Sequence, residues 1–114
     1  MGLGEQIAAR RHRERKIIKV DEWGENGQSL IIYSGPITAG DIDKLQRKHK
    51  DFLNNMTIAG MIDLIIAKAE DADGKRLFTL EDKIYLMGDS VALIADITGQ
   101  MFGDVDAVEV AEKN

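Results

Sequence analysis

The spacing of apolar residues changes once along this chain, and the change separates two kinds of structure. From Ile17 to Tyr33 they form two β-branched runs, Ile17-Ile18-Lys19-Val20 and Leu30-Ile31-Ile32-Tyr33. The polar stretch between them contains Asn26-Gly27, a pair at which φ > 0 is cheap. This pattern predicts a β-hairpin over about 16–34, with a loop longer than the minimal two residues. Two strands alone are unstable in water, so one hairpin face must pack on something else. Trp23 is expected to cover that packing edge.

Gly35-Pro36 breaks the strand, and helical spacing follows. Thr38 caps a predicted helix over 38–53, whose narrow apolar stripe is Ile42, Leu45, Phe52 and Leu53, with His49 inside it. Asn54-Asn55 ends it. Thr57 starts a helix over 57–69 in which Ile58, Met61, Ile62, Ile65 and Ile66 fill an arc of about 140° at 100° per residue. So wide a face belongs to a central core helix. Leu64 falls on the other side with Gly60, Asp63 and Lys68. That position suggests a second contact surface, for which Gly60, Leu64 and Ala67 are the candidate partner-binding residues. On this reading Leu64→Asp leaves the fold intact and abolishes association.

Asp71-Ala72-Asp73-Gly74-Lys75 reads as a turn. Thr79 and Asp82 then resemble a capping box for a short helix over 79–87 carrying Leu80, Ile84 and Met87. Ser90 opens a helix over 90–102 with Val91, Leu93, Ile94, Ile97, Met101 and Phe102 on one face. Asp104 and Asp106 favour the first turn of a last helix over 104–112. The whole is predicted to be an α+β domain over 16–114: an N-terminal hairpin followed by four to five short helices. No repeat or low-complexity tract interrupts it.

Charge adds an arm. Residues 1–20 hold six Lys/Arg against two Asp/Glu, net +4, whereas residues 21–114 hold nine against eighteen, net −9. The basic arm over 1–15 has Leu3 and Ile7 at helical spacing, then Arg10, Arg11 and Arg13. A helix there is marginal alone and needs a partner surface. Such an arm is either solvated charge or a contact for nucleic acid or for an acidic surface on another copy. No aromatic residue lies between its charges, so base stacking has no support.

Candidate chemistry is sparse. The chain has no Cys, which excludes disulfides, thiol nucleophiles and Cys-based metal sites. If Gly74 takes the sixth place of an EF-hand loop, Ala69 and Leu80 occupy ligand positions one and twelve, so a calcium loop fails. His12 and His49 form no zinc-type pair, and no phosphate-binding or nucleophile-elbow pattern occurs. Asp63 and Asp96 each interrupt a mainly apolar helix, which a core-edge salt bridge or an interface contact explains. The expectation is a protein that is not an enzyme and holds neither metal nor cofactor. No apolar run approaches the roughly 20 residues a membrane span needs, and the start MGLGEQ has no apolar stretch. Membrane partners are therefore not expected.

The order of these signals resembles the tail assembly chaperones of long-tailed bacteriophages and prophages. The matching features are Asp21-Glu22-Trp23-Gly24 in the strand pair, the Thr-led charged helix 38–53, and the apolar helix after it. Next come the segment Asp71-Ala72-Asp73-Gly74-Lys75-Arg76-Leu77-Phe78-Thr79-Leu80-Glu81-Asp82 and the acidic end Gly103–Glu112. The resemblance covers about 16–114; the basic arm is less typical of the family.

It implies a non-catalytic protein of the bacterial host cytoplasm. Such a protein self-associates, coats the tape measure protein during tail tube assembly, and is absent from the finished virion. It also implies contact with the tail tube protein through a longer frameshifted form, for which Glu112-Lys113-Asn114 has compatible codons. Helix-in-groove contacts repeated along one client suit that role. Two alternatives stand beside it. One is a nucleic-acid-associated regulator using Arg10, Arg11 and Arg13, against which the acidic body argues. The other is a tail-completion structural protein retained in the virion.

Overall fold

A computed structural model gives the fold; it describes residues 2–103, with the side chains of residues 11–13 outside the description. Strand β1 (Lys16–Glu25) pairs antiparallel with β2 (Gln28–Ser34), with Ile18 opposite Ile32 and Glu25 opposite Gln28. Asn26 and Gly27 both have positive φ, 55° and 77°, which makes a two-residue turn of the kind that matches strand twist. The hairpin loop is thus minimal, not longer as expected. The polar residues read as loop lie instead in an irregularity of β1 between Val20 and Glu25. There the backbone closes so tightly that a Cβ on Gly24 would lie 1.8 Å from the Gln28 carbonyl oxygen. Only glycine fits.

One hairpin face is apolar: Ile18, Val20 and Ile32 are buried, while Ile17 and Lys19 point outward. The edge of β2 is also covered. Tyr33 and Glu70 exchange backbone hydrogen bonds of 2.8 and 2.9 Å, and Glu70 bridges on to Arg76.

The helices are α2 (Ala39–Lys48), α3 (Ile58–Lys68), a 3₁₀ turn (Leu80–Asp82) running into α4 (Lys83–Met87), and α5 (Val91–Met101). Side-chain oxygens of Thr38, Thr57 and Ser90 accept backbone N–H bonds at the starts of α2, α3 and α5. The α3 helix packs against α2, α4 and α5, and α5 packs against β1. One core therefore joins hairpin and helices, with Phe52, Ile62, Leu64, Ile65, Ile94 and Met101 sealed inside it. The architecture is α+β.

One further expectation changes here: α2 ends at Lys48, not near 53. Asp51 takes φ 59°, and the turn after it carries Phe52 into the core while Leu53 stays exposed. The basic arm holds the marginal helix considered for it, α1 (Leu3–Arg13), which is exposed along its described side chains. Arg15 does not belong to the arm. Its guanidinium donates to the Asp71 carbonyl at 3.0 Å and lies over the Tyr33 ring at 4.7 Å, which fixes the root of α1 on the body. The predicted helix over 104–112 lies outside the described residues.

Candidate partner-binding surface

Leu64 does not face a second surface. It is 1% exposed, because the side of α3 that its wheel position left open is covered by α2 and the 3₁₀ turn. Gly60 is buried too, and for a packing reason: a Cβ there would meet Cε1 of Phe52 at 2.6 Å. Ala67 alone of the three is exposed. Leu64 and Ala67 do border one groove of about 460 Å³, with Lys44, Lys48, Arg76 and Leu80 around it. Its rim is largely charged and Gly60 does not line it. The expected contact surface at Gly60, Leu64 and Ala67 is therefore corrected: Leu64 and Gly60 serve the core.

Exposed apolar surface lies elsewhere, on the segment from the 3₁₀ turn to the start of α5. Leu80 is 69% exposed, Ile84 73%, Tyr85 76%, Met87 50% and Val91 62%. Leu80, Ile84 and Met87, the apolar residues of the predicted short helix, point outward. Leu86 is the buried residue of α4. Isolated exposed aliphatics are ordinary, but a run of large ones on a short stretch is a candidate for an interaction surface. A sequence signal for it exists. Ile84-Tyr85-Leu86-Met87 is apolar all round, and a five-residue helix at the edge of a core cannot bury every side.

Polar bonds hold this segment from beneath. The Thr79 backbone N–H donates to the Asp82 carboxylate at 2.8 Å, closing the predicted cap. Lys83 Nζ lies 2.9 Å from Asp63 Oδ1, and His49 Nε2 lies 2.6 Å from Asp63 Oδ2. Among the described residues Oδ1 has no hydrogen-bond partner, so the Lys83 contact is chiefly one of charge. Burial acts to raise the Asp63 pKa, but His49 and Lys83 outweigh it and the carboxyl titrates below its ordinary 3.8. Chemically the cluster ties the end of α2 to α3 and α4. Asp96, by contrast, is exposed and accepts from Gln100 Nε2 at 3.0 Å. At the far end Trp23 Nε1 donates to Asp89 Oδ2 at 2.6 Å, its ring edge-on to Phe78 at 5.6 Å.

The remaining candidates are placed as follows. Arg10 is exposed on α1, and the side chains of Arg11 and Arg13 lie outside the described residues. The Asp71 carboxylate accepts the backbone N–H groups of Asp73 and Lys75 at 2.8 and 3.0 Å, so it closes its own turn. Among the described residues no group of three or more potential ligands converges on a metal position. Nor is any described helix long and apolar enough to cross a membrane. Comparison with family models, curated proteins and solved structures finds no match to this chain.

Proposed function

We propose that the chain is a non-catalytic binding protein, a tail assembly chaperone of a long-tailed phage or prophage, which covers apolar helical stretches of a tape measure protein. The observation that supports this reading is the outward face of Leu80, Ile84, Tyr85, Met87 and Val91. An amphipathic client helix laid on such a face buries apolar area that neither partner can bury alone. The segment Asp71–Asp82 that carries the family resemblance runs straight into it. On this reading the protein acts in the host cytoplasm, engages the tail tube protein through a longer form, and is lost from the finished particle.

The test is coexpression with the tape measure protein encoded immediately downstream, beside Ile84→Asp and Tyr85→Asp variants. The wild type keeps the client soluble and copurifies with it; the variants fold alike but lose the client. Equal capture by wild type and variants refutes the assignment of this face. Absence of a tape measure gene downstream and a tube gene upstream refutes the family reading. Salt-steep nucleic acid binding lost on Arg10→Glu would favour the regulator instead. Stoichiometric recovery from purified virions would favour the tail-completion protein.

A further inference from the structure

We propose that the acidic segment 104–114 of this chain docks on its own body, in the groove between α2, α3 and Leu80. The contact does not involve the proposed client, so it stands or falls apart from the reading above.

The groove carries a charge unlike the rest of the body. Residues 21–114 are net −9, yet four of their nine Lys/Arg border this one space of about 460 Å³. Lys68 is paired with Asp41 at 3.0 Å, and Asp63 is held by Lys83 and His49. Lys44, Lys48 and Arg76 are left over: among the described residues, no ion pair or hydrogen bond engages their side chains. One acid at the groove, Glu70, likewise has no side-chain partner there, so three cations stand against one acid. The rim also holds exposed apolar surface at Ala67 and Leu80. An anionic segment with small apolar side chains matches both features.

Segment 104–114 has that composition. Asp104, Asp106, Glu109 and Glu112 interleave with Val105, Val108 and Val110, against the single cation Lys113, net −3. It also starts within reach. A Cβ on Gly103 would lie 3.0 Å from Lys16 Nζ, so the chain leaves α5 beside the start of β1. From there a ladder leads to the groove: Lys16 faces Ser34, Tyr33 bonds Glu70, and Glu70 bridges to Arg76. Three strand spacings of about 4.8 Å make about 15 Å, to which the Lys16 side chain adds its length. Eleven residues reach about 36 Å when extended. So short a tether holds the segment at an effective concentration of about millimolar, at which even a millimolar contact is about half populated. The same segment on a second copy has no such advantage.

The chain has no Cys, so Asn114→Cys takes a single nitroxide label on the otherwise intact protein. In the isotope-labelled chain, paramagnetic broadening is expected at the amides of Lys44, Lys48, Ala67 and Arg76, and not at the Asn26-Gly27 turn. It is unchanged on dilution, whereas raising salt from about 50 to about 500 mM cuts it severalfold. Lys44→Glu with Lys48→Glu, both exposed on α2, cuts it severalfold as well, and adding Glu109→Lys and Glu112→Lys restores it in part.

Absent or uniform broadening overturns the proposal, as does broadening that the charge reversals leave unmoved. Broadening that fades on dilution places the segment in a second copy's groove and overturns it too. Amide shifts at Lys44 and Arg76 on adding inorganic phosphate, with no broadening from the label, would give the groove to an anion from outside the chain and likewise overturn the contact. None of these readouts depends on client capture.

Discussion

Leu64 and Leu80 border the same groove, yet one is 1% exposed and the other 69%. Truncating each to alanine therefore separates core from surface with chemistry held constant. Leu64→Ala removes three buried carbons at about 0.8 kcal/mol each. A residual cavity adds to that, although the adjoining groove lets the site relax, so the total is about 3 kcal/mol, near the low end of buried Leu→Ala losses. Against a whole-domain stability of about 5–15 kcal/mol this is a large fraction. With an m-value of about 1.5 kcal/mol/M in urea, the midpoint falls by about 2 M. Leu80→Ala moves it by less than about 0.3 M, since an exposed substitution is worth within about 0.5 kcal/mol. Trp23, the sole tryptophan, packs beside Phe78 at the core margin and reports unfolding by its fluorescence. The same logic reverses the expectation for Leu64→Asp: a carboxylate in that sealed site unfolds the protein. A midpoint shift under about 0.5 M for Leu64→Ala, or similar shifts for both variants, would show that the two positions do not differ in burial.

Three further outcomes follow from particular contacts. Gly24→Ala forces a Cβ onto the Gln28 carbonyl, 1.8 Å away, and should cost more than about 2 kcal/mol in thermal unfolding, whereas the outward Ile17→Thr should cost little. Asp63 and Asp41 both titrate below 3.8 when folded. Burial opposes this in each, and it is overcome by His49 and Lys83 at Asp63 and by Thr38 and Lys68 at Asp41. Their contribution to stability is therefore complete above about pH 5 and is lost as pH falls through 3.8 towards the folded values. Asp63→Asn should flatten that acid limb, as followed by stability measured across pH 2–6. Trp23→Phe keeps the ring against Phe78 but removes the donor to Asp89, and should lower stability by about 1 kcal/mol in urea titrations.

Helix starts were legible in the sequence because caps are local. Thr38, Thr57 and Ser90 each bond a backbone N–H three residues on, and no distant group is needed to make that happen. Helix ends and facing were not. The stripe through Phe52 continued past Lys48, but Phe52 reaches the core through a left-handed turn at Asp51, which helical spacing cannot distinguish from one more turn of helix. The wheel of α3 placed Leu64 opposite the main apolar arc without knowing that α2 and the 3₁₀ turn would cover that side. At the hairpin, polarity misled. Asp21–Gly24 is polar because it forms an irregular strand margin, not because it is loop.

The segment from Thr79 to Val91 inverts the usual arrangement, and its polar bonds explain how. Lys83 reaches Asp63, which His49 also engages, and the exposed Asp89 accepts from the indole of Trp23. With Lys83, its one charged residue, held at Asp63, α4 sends one apolar side chain, Leu86, into the core, while Ile84, Tyr85 and Met87 point to water. Rotating α4 by half a turn would bury Ile84 and Tyr85 but would pull Lys83 from a carboxylate that is 9% exposed, leaving a half-paired charge at the core edge. The ion pair thus selects the orientation that exposes the apolar face. A partner that covers that face would offset its hydrophobic cost, which is what the proposed client helix would do.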